Sequence, residues 1–163
     1  MTPTPTASTR APRSTVMTST SPGRTATSVP RIAGQAATAI LVAAFGFHAY
    51  WGAGGRWGAA TAYGSPDIPP PAASAVVAVL IAAAALLLLA RIAILATPLP
   101  RRMLRIGTRL LVAVFALAGV NNLIQPQEAY ARDWHIYLFG PLLLALAALC
   151  AIADRSKHDV RAS

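Results

Sequence analysis

Apolar positions in this chain come in long unbroken runs and do not alternate with polar ones. Four stretches, 32–51, 72–90, 103–124 and 136–153, are apolar almost throughout. Each approaches the roughly twenty residues that a helix rising about 1.5 Å per residue needs to cross a hydrocarbon layer. The pattern predicts an all-α integral membrane protein, an up-and-down bundle of four transmembrane helices over residues 31–154, flanked by tails over 1–30 and 155–163. Proline marks the boundaries. The run Pro69, Pro70, Pro71 lacks the donors a continuing helix uses and gives the second span a stiff entry, while Pro98 and Pro100 keep spans two and three separate.

Composition agrees: 55% of the 163 residues are hydrophobic, only 12% are charged, and the mean hydropathy is +0.53. A soluble domain of this size needs far more charge to cover its surface. The net charge of +9 does not indicate a nucleic-acid partner, because the basic residues form no single stripe with aromatic neighbours. They fall in blocks between the spans. Arg10, Arg13, Arg24 and Arg31 precede span one; Arg91, Arg101, Arg102, Arg105 and Arg109 lie between spans two and three; Arg155, Lys157 and Arg161 follow span four. The other two connections hold only Arg56 and Arg132. Arginine and lysine flanking spans stay on the cytoplasmic side, so both termini are expected in the cytoplasm.

Residues 1–30 are rich in Thr, Ser, Pro and Arg, contain no acidic residue, and show no apolar periodicity that could offset the entropy of ordering. They read as a disordered basic tail, within which Met17 offers a second start. Span one is longer than the apolar core of a signal peptide and ends in His48, Tyr50 and Trp51, which suits an uncleaved helix with an aromatic belt. Arg91 is expected to reach the inner boundary and extend its side chain to water. Cys150 is the single cysteine, so no disulfide within the chain can form, and it reads as a small core residue.

Candidate chemistry gathers at one level, the outer end of the bundle. His48, Tyr50 and Trp51 close span one; Asn121, Asn122 and Gln125 close span three; Asp133 and His135 lead into span four. Polar groups in an apolar helix are costly unless paired, so these side chains are expected to face other helices or water as an outer polar cluster. No catalytic set is recognisable. There is no phosphate-binding glycine loop and no nucleophile elbow, so an enzyme is disfavoured. No protein metal set is identified either, although His48 and His135, predicted at the same depth, offer an alternative as ligands of haem or a divalent metal.

The string H-A-Y-W-G-A-G-G-R-W-G, His48 to Gly58, resembles the H-x-Y-W-x-x-G-G signature of a bacterial family of small four-helix membrane proteins, domain of unknown function three-nine-nine-five. Ala131, Asp133, Tyr137, Pro141 and Leu142 are similar to a second family pattern near span four, with a longer gap between tyrosine and proline. The resemblance implies the four-helix fold and a bacterial plasma membrane, and brings no activity. Physically, Gly54 and Gly55 suit a structural turn where the chain leaves the membrane, with Trp51 and Trp57 anchoring either side; the alternative is a glycine-aromatic floor under a small-molecule or lipid site. The functional expectation is a multi-pass protein in the lipid bilayer that packs with itself as a homo-oligomer, with a membrane partner protein, or with lipid. The alternatives are a haem or metal redox protein and a small transporter or pore.

Overall fold

A computed structural model describes residues 29–125 and 128–155. Nearly all of the basic tail and of the C-terminal tail lies outside these residues. Four helices are long and apolar enough to cross a membrane, and no strand occurs among the described residues. Helix α1 covers Val29–Gly52, α2 Ala59–Tyr63, α3 Pro71–Arg91 and α4 Arg101–Ile124. The fourth span is composite: α5, Ala129–Trp134, runs through a π-helical turn, His135–Phe139, into α6, Gly140–Asp154. Together they make 26 residues, about 39 Å at the helical rise. The fourth span therefore begins well before Ile136, and the short α2 is an element that the apolar pattern of the first connection did not suggest.

Local chemistry sets the ends. Pro71 occupies the first turn of α3, where its missing N–H breaks no helical bond, and Pro100 holds extended angles just before α4. The π turn has a comparable cause. Pro141 cannot donate to the carbonyl one turn back, and its ring would crowd that carbonyl in a regular helix; the turn just before it is widened.

In the bundle, α1 packs against α3 and α6, and α4 against α6 and α3, giving a ring in which neighbours run antiparallel. Its centre is made by Ala37 and Leu41 of α1, Ala84, Ala85 and Leu88 of α3, and Leu146 and Cys150 of α6, closed by Leu111, Val112 and Phe115 of α4. Close approach depends on small residues, since lipid tails are as apolar as the side chains and association comes from packing. A methyl group on Gly34 would lie 2.5 Å from Ile92 of the α3 end, and one on Gly119 2.9 Å from Leu144 of α6. Ala33, Gly34 and Ala37 form the buried face of α1, and Ala39 and Ala43 face outward. The buried hydroxyls of Thr38 and Thr108 donate to the carbonyls of Gly34 and Leu104, both at 2.8 Å.

At the end where α3 finishes, Arg91 departs from expectation. It does not extend to water; it is 8% exposed and donates to the side chain and main-chain oxygens of Asp154 on α6. Arg109 of α4 reaches the other carboxylate oxygen at 3.3 Å. A guanidinium this deep needs a carboxylate partner, and Asp154 lies 63 positions away in sequence, beyond any local pattern. Asp154→Asn is expected to lower stability by about 3 kcal/mol, as removing one partner of a buried pair does, measured by thermal unfolding in detergent. Just beyond, Ala93 has φ 57, and its N–H and that of Ile94 bond back to Ala90 and Leu89 at 3.2 and 3.0 Å. That is a Schellman cap with alanine in the position glycine prefers. Ala93→Gly is expected to raise stability by about 1 kcal/mol in the same assay.

Candidate functional site

The opposite end of the bundle, where α1 and α4 finish, carries the polar residues singled out from sequence. Helix α1 stops in a second Schellman cap. The N–H of Gly55 bonds to the carbonyl of Tyr50 and that of Gly54 to the carbonyl of Trp51, each at 3.0 Å, with Gly54 at φ +94. The two glycines end the helix by satisfying its last carbonyls. Gly54 is favoured for its backbone angle, whereas a methyl on Gly55 would lie 2.3 Å from the exposed Tyr50 ring, which would have to move aside. The Trp51 indole N–H then donates to the carbonyl of Trp57 at 2.9 Å and fastens the turn.

From Trp51, 7% exposed, contacts lead into α2. The rings of Trp51 and Tyr63 lie 5.6 Å apart, and the Tyr63 hydroxyl shares a hydrogen bond of 2.7 Å with Ser74, a buried polar residue near the start of α3. The edge of His48 meets Trp51 at 5.0 Å, and its Nδ1–H donates to the carbonyl of Ala44 at 2.9 Å.

On the far side of α2 sits His135, 4% exposed, at the start of the π turn. Its Nε2 lies 3.0 Å from the carbonyl oxygen of Thr61, which can only accept. Its Nδ1 lies 2.5 Å from Asn122 Oδ1, and the orientation of that amide is fixed because Asn122 Nδ2 donates to the carbonyl of Ala118 at 2.8 Å. Two acceptors thus flank one ring. Both are satisfied only by an imidazole carrying two N–H groups, and a neutral ring satisfies one. Thr61 of α2, Asn122 of α4 and His135 of the fourth span are joined at this point.

The expected cluster of eight residues therefore divides. His48 and Trp51 form one part and Asn122 and His135 the other, with α2 between them; Tyr50, Asn121, Gln125 and Asp133 are exposed. Asn121 is on the side of α4 turned away from the bundle, and Gln125 lies just past the helix in extended conformation. Thr61, Tyr63 and Ser74 were not anticipated. Ser74 carried the available signal, being the sole polar side chain in the run 72–90.

A cavity of about 290 Å³ lies beside this scaffold. Trp51, Gly54 and Gly55 line it from α1, Ile68, Pro69 and Pro71 from the approach to α3, and Arg56 and Ser74 supply its polar groups. Among the described residues no group of three or more histidine, cysteine or acidic side chains is placed to hold a metal.

Four lipid-compatible helices, with their polar residues paired at the two ends, define a multi-pass α-helical membrane protein. The family model described as "Protein of unknown function (DUF3995)" matches residues 39–150, and the chain belongs to that family. No curated protein and no solved structure matches it.

His135→Leu removes both donors while keeping most of the volume. It leaves the half-buried Oδ1 of Asn122 without its partner, while the Thr61 carbonyl keeps the Gly64 N–H, and is expected to lower stability by about 2 kcal/mol. Combined with Asn122→Leu it should cost less than the sum of the single changes, by about 1 kcal/mol or more, if the two side chains act as a pair. A double-mutant cycle of thermal unfolding in detergent measures this coupling.

Proposed function

We propose that this protein resides in a bacterial plasma membrane with both termini in the cytoplasm, and that it acts through lipid contact and through helix packing with membrane partners, a second copy included, and not by catalysis. The orientation rests on charge. Arg31, Arg91, Arg101, Arg102, Arg105, Arg109 and Arg155 lie at the end where α3 finishes, against Arg56 and Arg132 at the other.

The observation that carries the reading is where the unused surface lies. At the outer end the buried polar groups bind one another, whereas the outer flank of α4 presents Met103, Ile106, Leu110, Val114, Leu117 and Ile124 as a continuous exposed stripe. Their spacing of three, four and, at the end, seven residues places them on one side of a helix. That surface suits acyl chains or another apolar helix.

The redox alternative has less support. Binding haem or metal through His48 and His135 would require His135, which ligates through one ring nitrogen, to give up either its bond to Thr61, which holds α2 to the fourth span, or its bond to Asn122, which joins α4 to it.

Photo-crosslinking groups placed at Leu110 and Leu117 are expected to capture lipid or a discrete membrane protein in native membranes, and the purified protein should show no Soret band. A Soret band abolished by His48→Ala overturns the reading in favour of a redox role. Solute flux through vesicles that is lost in Asn121→Ala overturns it in favour of transport.

A further inference from the structure

The cavity beside Trp51 has a composition and a depth that together specify an occupant. It is lined by residues that end α1 and by residues that begin α3. It therefore lies where two spans leave the apolar layer, which is the level of lipid headgroups. Its walls include Trp51, Ile68 and two prolines; its polar side chains belong to Arg56 and to Ser74, whose hydroxyl is shared with Tyr63, and no acidic residue lines it. Arg56 has no salt-bridge partner among the described residues. It is also one of only two basic residues in the connections assigned to the outside, against the charge bias that orients the chain.

Arginine matches phosphate oxygens with a planar fork of N–H donors. An indole and proline wall matches the apolar part of the same molecule. Gly54 and Gly55, which terminate α1, line one side of it.

We propose that this cavity binds the headgroup of an anionic phospholipid of the outer leaflet, with the phosphate on Arg56, the glycerol region against Trp51 and Pro71, and the acyl chains continuing along the lipid-facing helices. The assignment rests on the lipid-contact reading above and names the lipid and its seat.

Its test uses the full-length protein in a neutral detergent, with binding followed by native mass spectrometry. Short-chain phosphatidylglycerol is expected to bind at least about tenfold more tightly than short-chain phosphatidylcholine, the factor that about 1.4 kcal/mol represents. Arg56→Gln should remove that preference. Ile68→Trp, which fills the cavity and keeps the charge, should weaken binding to a similar degree. Arg132→Gln, at the same end of the bundle but outside the cavity, should leave binding unchanged.

Equal loss in Arg56→Gln and Arg132→Gln overturns the proposal, because attraction would then follow net charge and not a site. Unchanged binding in Ile68→Trp also overturns it. Inorganic phosphate or glycerol phosphate that binds as tightly as the lipid assigns the cavity to a soluble anion instead. None of these outcomes alters crosslinking from the α4 flank, so failure here is distinguishable from failure of the wider reading.

Discussion

Polar groups inside a hydrocarbon layer have no water to bond with, so a chain that crosses it four times must satisfy every one of them internally. Main-chain groups are handled by making the spans helical. The remaining places where satisfaction has to be built are the helix ends, the proline at the head of α6, and the few buried polar side chains. Each has its own solution: Schellman caps at Gly54–Gly55 and at Ala93–Ile94, a π turn ahead of Pro141, hydroxyls turned back onto the preceding helical turn at Thr38 and Thr108, and the Arg91–Asp154 pair. Most of the specific structure in this small bundle follows from that one requirement.

The two ends meet it in different ways. At the arginine-rich end the central contact is ionic, with Asp154 receiving both a buried and an exposed guanidinium and so tying α6 to α3 and α4. At the histidine end it is a hydrogen-bonded network around α2, in which Tyr63 engages α3 and Thr61 engages the fourth span. Five residues of helix thus act as a bracket across the mouth of the bundle. Helix α2 can be this short because glycines in left-handed conformation stand at both ends and let the chain enter and leave sharply, while its polar contacts bind it to longer elements.

How much of this could be read from sequence depended on the range of the interaction. The spans were legible because hydropathy sums over some twenty consecutive residues, and a glycine turn after Trp51 was legible because both glycines adjoin the end of the apolar run. What failed was the sense of direction. Asn121 and Asn122 are adjacent, and a rotation of about 100° per residue decides which faces the bundle; composition gives no hint that Asn122 turns inward to His135 while Asn121 turns outward. Arg91 failed for a related reason. Its distance along α3 suggested a side chain leaving the membrane, and only the fold brings Asp154 beside it. The early start of the fourth span was hidden because Arg132 and Asp133 interrupt the apolar run, although both are exposed on a helix that continues beneath them.

The string from His48 to Gly58 was open to two readings, a turn or the floor of a site, and its geometry joins them. Tyr50 and Trp51 supply the carbonyls that the Gly54 and Gly55 amides cap, so these four residues are accounted for as a helix terminator without any ligand. Terminating a helix with glycines also leaves space, because the backbone turns away and no side chain fills the volume it vacates. Here that space is bounded by Trp51, held in place by its bond to Trp57, and by the proline run that α3 needs for its own start. A cavity between the two helix ends is thus the geometric consequence of ending one span with glycine and beginning the next with proline, and Arg56, the residue directly after the cap, gives it a charge.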